Sequence, residues 1–248
     1  MDFSNKCVWV TGAGQGIGLQ VALRFQAAGA QVIGFDCAFT QADYPFQTVV
    51  LDITDAAAVQ QVSQEILGRH PHIDVLVNGA GVLRLGSSEE LSVADWHACF
   101  DVNVSGPFYL FRQLVPVFKA QGTGAVVSIA SNAAHVPRML MAAYCASKAA
   151  MVALNNCIGL ELAGHGVRCN LVSPGSTDTP MLRGMVGGTQ GFPALVNGLP
   201  EHYKLGIPLK KIATTDEIAN VVLFLASDLA SHMTMQDLVV DGGATLAA

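Results

Sequence analysis

Tyr144 and Lys148 stand four residues apart in the run Tyr144-Cys145-Ala146-Ser147-Lys148. On a helix this spacing puts both side chains on one face, one turn apart. A phenol titrates near ~10 and is a poor base at neutral pH. A neighbouring ammonium favours the phenolate and lowers that value. A tyrosine so placed can take a proton from an alcohol as hydride departs, or return one in the reverse direction. The spacing alone carries little weight, because many helices contain it by chance. Ser131 adds to it: it falls at the end of an expected strand and could hydrogen-bond a substrate oxygen.

A second chemistry-bearing run is Thr11-Gly12-Ala13-Gly14-Gln15-Gly16-Ile17-Gly18. Glycines between a strand and a helix permit unusual φ angles and let a helix N-terminus approach a pyrophosphate. The common G-x-G-x-x-G fingerprint does not fit, because it needs glycine at 17 or 19, which are Ile and Leu. The run reads T-G-x-x-x-G-x-G instead; the plain alternative is a glycine turn that binds nothing. Asp36 ends the next expected strand, where a carboxylate can accept both hydroxyls of an adenosine ribose and repel a 2′-phosphate. No Lys or Arg directly follows Asp36, and position 15 is Gln, so the expected cofactor is NAD rather than NADP. An ordinary turn carboxylate is the competing reading of Asp36. Asp52 ends the third expected strand and could approach the adenine, with a helix-capping role equally open.

These groups need a frame. An apolar run at 6–10 leads into the glycine turn, and a helical pattern follows with Ile17, Val21, Ala22 and Phe25 on one face, stopped by Gly29. A second strand covers 31–35. The alternation continues with strand 48–51, helix 55–67 capped by Asp55 or Thr54, strand 73–77, and one or two helices in 93–120. Strand 125–130, helix 142–163, strand 167–172, helix 214–226 and strand 237–240 complete it. The strands are nearly continuous apolar runs, as in a parallel sheet covered on both faces. The expected fold is α/β: one domain over 1–248, a Rossmann-type doubly wound parallel sheet with helices on both faces and its ligand beyond the C-terminal strand ends. The segment 176–208 is long, Gly/Pro-rich and weakly periodic, which marks it as a substrate lid.

Hydrophobic residues make up 51% of the 248, charged residues 13%, and the net charge is −6. No basic run exceeds Lys210-Lys211, so nucleic acid and anionic membrane surfaces are excluded as expected partners. The six cysteines form no C-x-x-C pair, so no metal site and no disulfide framework is expected. No apolar run approaches the ~20 residues of a membrane-spanning helix, and no basic-then-apolar leader opens the chain. A cytoplasmic enzyme is the expectation.

Taken together, the motifs resemble those of the short-chain dehydrogenase/reductase family over essentially the full length. Its T-G-x-x-x-G-x-G corresponds to residues 11–18. Its N-N-A-G corresponds to Asn78-Gly79-Ala80-Gly81, with Gly in place of the second Asn. Its P-G-x-x-x-T corresponds to Pro174-Gly175-Ser176-Thr177-Asp178-Thr179. Its helix Asn, its Ser and its Tyr-Lys pair correspond to Asn103, Ser131, Tyr144 and Lys148. The resemblance implies that Tyr144 is the general acid/base, that Lys148 contacts the nicotinamide ribose and lowers the Tyr144 pKa, that Ser131 orients the substrate, and that Asn103 helps hold a relay water. It implies cofactor contacts from Gly12, Gln15, Gly16, Ile17, Gly18, Asn78, Ala80, Gly81, Tyr144, Lys148, Pro174, Gly175 and Thr179, beside Asp36 and Asp52. It also implies a homotetramer.

Stretches outside the shared motifs, among them Gly34-Phe35-Asp36, Tyr44-Pro45-Phe46 and Lys204-Leu205-Gly206-Ile207-Pro208-Leu209, resemble family members that act on a carboxylated cyclohexadiene diol in making siderophore catechols. Such a small-molecule substrate needs a cation for its carboxylate. Arg138, between Ser131 and Tyr144, and Arg84, after Gly81, are the candidates, each with a surface role as its alternative. Met139, Met141, Met181 and Met185 could form an adaptable apolar wall or plain core. His135 could be a structural loop residue, and Cys145 is turned about 100° from Tyr144 on the helix. Two other readings compete. One is a family member acting on a 3-oxoacyl, sugar or steroid substrate. The other is a non-catalytic dinucleotide-sensing protein, a class that tends to lose the Tyr or the Lys.

Overall fold

Along β1 (Cys7–Thr11), Val8 and Val10 enter one apolar layer while Trp9 enters the other. This is the two-residue period of a strand buried on both sides. The computed structural model describes residues 1–246 and carries this division through the molecule. One layer takes Val21, Ala22 and Phe25 from α1 (Gly16–Ala27) and Ile218, Ala219 and Val222 from α8 (Thr215–Ala226). The other takes Val59 and Ile66 from α2 (Ala56–Arg69), Leu110 and Leu114 from α4 (Gly106–Gln121), and Met151 and Leu162 from α5 (Ala142–Ala163). Each fully buried side chain of this kind contributes about 1.5–3 kcal/mol.

The sheet is a seven-stranded, Rossmann-type parallel sheet in the order β3-β2-β1-β4-β5-β6-β7. Beyond β1 its strands are β2 (Gln31–Asp36), β3 (Gln47–Val50), β4 (Val75–Asn78), β5 (Gly124–Ile129), β6 (Val167–Pro174) and β7 (Asp237–Val240). Strand β1 pairs with both β2 and β4. The chain order therefore reverses beside β1, and the connections leave a crevice at the C-terminal strand ends.

Local chemistry sets several boundaries. Asp55, not Thr54, caps α2, accepting from the amides of Ala57 and Ala58. Thr214 and Glu217 form a reciprocal capping box on α8. The region 93–120 divides into α3 (Val93–Phe100) and α4, joined by a π turn at Asp101–Ser105. The segment 176–208, for which the sequence predicts no helix, is partly helical. It holds α6 (Pro180–Val186) and α7 (Phe192–Asn197), each with Pro in its first turn. Their weak periodicity has a simple cause: helices this short bury one apolar residue each, Leu182 and Leu195.

Candidate active site

The glycine turn is held by close backbone approaches. Gly12 has φ +71, and a Cβ there would lie 2.8 Å from the Ala80 backbone. A Cβ on Gly14 would meet the Ala38 carbonyl at 2.4 Å and the Asp36 carboxylate at 2.9 Å; one on Gly18 would meet the Gly12 carbonyl at 2.1 Å. Side chains are thus excluded where β1 turns into α1. At the start of α1, Gln15 makes no side-chain capping bond and the first turn holds no acid. Its leading N–H groups are left for an acceptor of another kind, which fits the phosphates of a dinucleotide.

Across the turn, Asp36 accepts from the Gly14 amide at 2.9 Å and the Ala38 amide at 3.3 Å. Asp52 accepts from the amide and hydroxyl of Thr54 and caps no helix. Both carboxylates line a cleft of about 430 Å³ that runs over the strand ends. Gly12, Gln15, Gly16, Ile17, Gly18, Ala80, Gly81, Pro174, Gly175 and Thr179 line it too. The Thr179 hydroxyl accepts from the Leu182 amide at 3.2 Å and so caps α6.

At the other end the same cleft is lined by Ser131, Arg138, Tyr144 and Lys148. Strand β5 and helix α5 bring them together: Ser131 follows the strand, and Tyr144 and Lys148 lie in the first turns of the helix. Burial is the largest effect on the Tyr144 phenol and pushes it up to about 12, with Ser131 nearby acting in the opposite direction. Burial also pushes Lys148 down to about 8. The Lys148 ammonium lies 5.8 Å from the Tyr144 ring centroid and donates to the Ile129 carbonyl at 2.8 Å. The expected lowering of the Tyr144 pKa by Lys148 is therefore not what this arrangement produces. Burial favours the neutral form of both groups. The Tyr144 hydroxyl, in the same cleft as Ser131, is placed to hydrogen-bond and exchange a proton with one substrate oxygen.

Three expected site residues lie elsewhere. Asn78, the last residue of β4, points beneath the cleft and donates to Ser128 Oγ at 3.1 Å; Ser128 donates in turn to Asn155. Asn103 sits in the π turn. Its Oδ1 accepts from the Val82 amide at 2.9 Å, and its Nδ2 donates to the Val82 carbonyl and to Ser147 Oγ. Its side chain is thus engaged by protein partners and ties the loop after Gly81 to α5. Arg84 pairs with Asp95 at 3.1 Å on the surface, away from the cleft. The substitution at Gly79 has a structural cause, since a Cβ there would lie 2.6 Å from the Thr11 carbonyl.

Of the methionines, Met141, Met181 and Met185 line the cleft, whereas Met139 is exposed. His135 bonds Asp237 at 2.9 Å, and Cys145 does not line the cleft. Lys204, absent from the sequence reading as a site residue, does line it. Its only signal in the sequence is membership of the run 204–209; no charge pattern singles it out.

A family model described as Enoyl-(Acyl carrier protein) reductase matches residues 12–245. The chain is 58% identical over 248 residues to the 2,3-dihydro-2,3-dihydroxybenzoate dehydrogenase of Escherichia coli (strain K12), covering 100% of both chains. It is 41% identical to the enzyme of the same name from Bacillus subtilis (strain 168), covering 98% of this chain and 97% of that one. Among solved structures, a short chain dehydrogenase/reductase family protein superposes with a TM-score of 0.84 at 32% identity, covering 99% of this chain and 100% of that one.

Proposed function

The chain belongs to the short-chain dehydrogenase/reductase family, an oxidoreductase family that uses a nicotinamide dinucleotide, and from that premise we propose that it oxidises 2,3-dihydro-2,3-dihydroxybenzoate to 2,3-dihydroxybenzoate with NAD. One observation carries this reading: Ser131, Tyr144 and Arg138 line the same cleft as the glycine turn and Asp36. A ring hydroxyl, its proton acceptor, a cation for the ring carboxylate and a dinucleotide then share one space. The two relatives named for this substrate match the chain from end to end, which supports the choice of substrate.

The cofactor, when bound, accepts the hydride at its nicotinamide. Gly12, Gln15, Gly16, Ile17 and Gly18 would hold its phosphates, Asp36 and Asp52 its adenosine half, and Ala80, Gly81, Pro174, Gly175 and Thr179 the remainder. Ser131 and Tyr144 bind the hydroxyl to be oxidised, and Tyr144, once its phenol has given up its own proton, receives that of the hydroxyl as the phenolate. Lys148 supplies positive charge beside the phenol and must be charged to do so; its lowered pKa makes that charge available below about pH 8. Arg138 pairs with the carboxylate in a forked hydrogen bond. Loss of hydride leaves a ketone that tautomerises to an aromatic catechol, which draws the reaction towards oxidation. The segment 176–208 closes the site against water.

Family membership leaves NAD and NADP equally open. The position of Asp36 favours NAD, since its carboxylate, already taking the Gly14 amide, would face a 2′-phosphate. Among the described residues the cations lining the cleft are Arg138, Lys148 and Lys204, none of them in the glycine turn or at the β2 and β3 ends. The chain acts as one domain and, as is common in the family, as a homotetramer in the cytoplasm. Among the described residues no helix is long and apolar enough to cross a membrane. The test is turnover of the diol with each cofactor by wild type and Asp36→Ala. Wild type should prefer NAD by about a hundredfold or more in kcat/KM, and the variant should lose most of that preference. A wild type that prefers NADP, or that leaves the diol untouched, contradicts the proposal.

A further inference from the structure

Of the thirteen lysines and arginines, Arg138, Lys148, Arg168 and Lys204 are the ones not exposed. Lys148 donates to the Ile129 carbonyl. Arg168 donates to the carbonyls of Leu225, Ala226 and Ser227. Arg138 and Lys204 have no hydrogen-bond or ion-pair partner among the described residues, although both line the cleft that holds Ser131 and Tyr144. The carboxylate of Asp241, which acts on Arg138 from nearby, is already taken by Asn132, by Thr245 and by the Gly243 amide.

The backbone carrying Lys204 is fixed. Lys204 exchanges both of its main-chain hydrogen bonds with Leu199, at 2.8 and 3.0 Å. Gly198, at φ +98, makes room for this turn, because a Cβ there would lie 2.7 Å from the Lys204 carbonyl. Two half-buried, unpartnered cations in one cleft are costly. Burial, joined by the positive charge of Arg138, pushes the Lys204 ammonium down, and burial does the same to Arg138. An anion placed between them removes both costs.

We propose that Lys204 is a specificity-determining residue that, with Arg138, forms a two-cation seat for the substrate carboxylate, an inference that rests on the substrate reading above. Arg138 supplies a planar fork from the segment between β5 and α5. Lys204 supplies a point charge from the segment that follows α7. The carboxylate thus holds two separate segments together over the ring, and a substrate without it leaves two like charges facing each other.

The test is calorimetric binding of 2,3-dihydroxybenzoate and of catechol, which lacks the carboxylate, to enzyme saturated with NAD. Wild type, Lys204→Met and Lys204→Arg are compared. Wild type should favour the carboxylated ligand by about thirtyfold or more. Lys204→Met should lose about tenfold of that preference with catechol affinity unchanged, and Lys204→Arg should stay within about threefold of wild type. Equal weakening of both ligands in Lys204→Met would mean that the residue only supports the segment, and overturns the proposal. A Lys204→Met enzyme that keeps the full preference overturns it as well, while leaving the substrate reading intact. A wild type that binds both ligands equally removes the substrate reading itself.

Discussion

The two ends of the cleft are made of different material. The cofactor end is backbone: glycines at 12, 14 and 18 that admit no Cβ, an uncapped helix start, and strand ends locked in register. The substrate end is side chain: Ser131, Arg138 and Tyr144 from one strand–helix unit, and Lys204 from a segment distant in sequence. A site built from backbone can be made in few ways, so it leaves a fixed spacing of residue types. A site built from side chains can borrow a charge from any segment that passes nearby.

This contrast can be broken first at Gly12. Gly12→Ala forces a Cβ against the Ala80 backbone at a positive φ. It should weaken NADH binding, followed by fluorescence titration, by about a hundredfold or more. Met185→Ala, at the other end, should change it by less than about threefold. A Gly12→Ala enzyme with ordinary NADH affinity would erase the distinction. Next in size is Arg138→Gln. It should raise the diol KM by about tenfold with the NAD KM unchanged, as steady-state kinetics would show. A change in both KM values would mean that the two ends are not separable.

The smallest expected effect is on stability. Burial lowers Lys148 from 10.5 to about 8, so between these values the unfolded chain binds more protons than the folded one. Stability from this group therefore rises with pH through that window, and the cost of the buried charge is fully present below about pH 8. Lys148→Met should raise the melting temperature at pH 7 by about 5 °C, for a gain of the order of 2 kcal/mol. The gain should shrink as pH approaches 10.5, while activity is lost throughout. A variant less stable than wild type at pH 7 would show that the bond to the Ile129 carbonyl outweighs desolvation.

The same contrast explains what the sequence made legible. The strand positions, the helices on both faces and the glycine turn follow from apolar periodicity and from positions where only glycine fits. Ser131, Tyr144 and Arg138 were found because short spacings within one strand–helix unit put them near each other. At Asn78 and Asn103 the motif gives a position along the chain and not the direction of a side chain. Asn78 turns to Ser128 on the neighbouring strand, and Asn103 to Val82 and Ser147. Arg84 was misplaced because its partner, Asp95, lies on the next helix. The balance of burial against charge at Tyr144 and Lys148 depends on how dry the cleft is, which no spacing records. Lys204 stayed hidden because the fold alone brings its segment to Arg138.

The most direct test of the account follows NADH formation from NAD and 2,3-dihydro-2,3-dihydroxybenzoate across pH, with wild type beside Tyr144→Phe. Wild type should turn over, with a rate that rises with pH as more of Tyr144 is phenolate. Tyr144→Phe should be at least about a thousandfold slower at every pH while still binding NADH. A Tyr144→Phe enzyme within about tenfold of wild type would contradict the assignment of Tyr144 as the group that takes the proton.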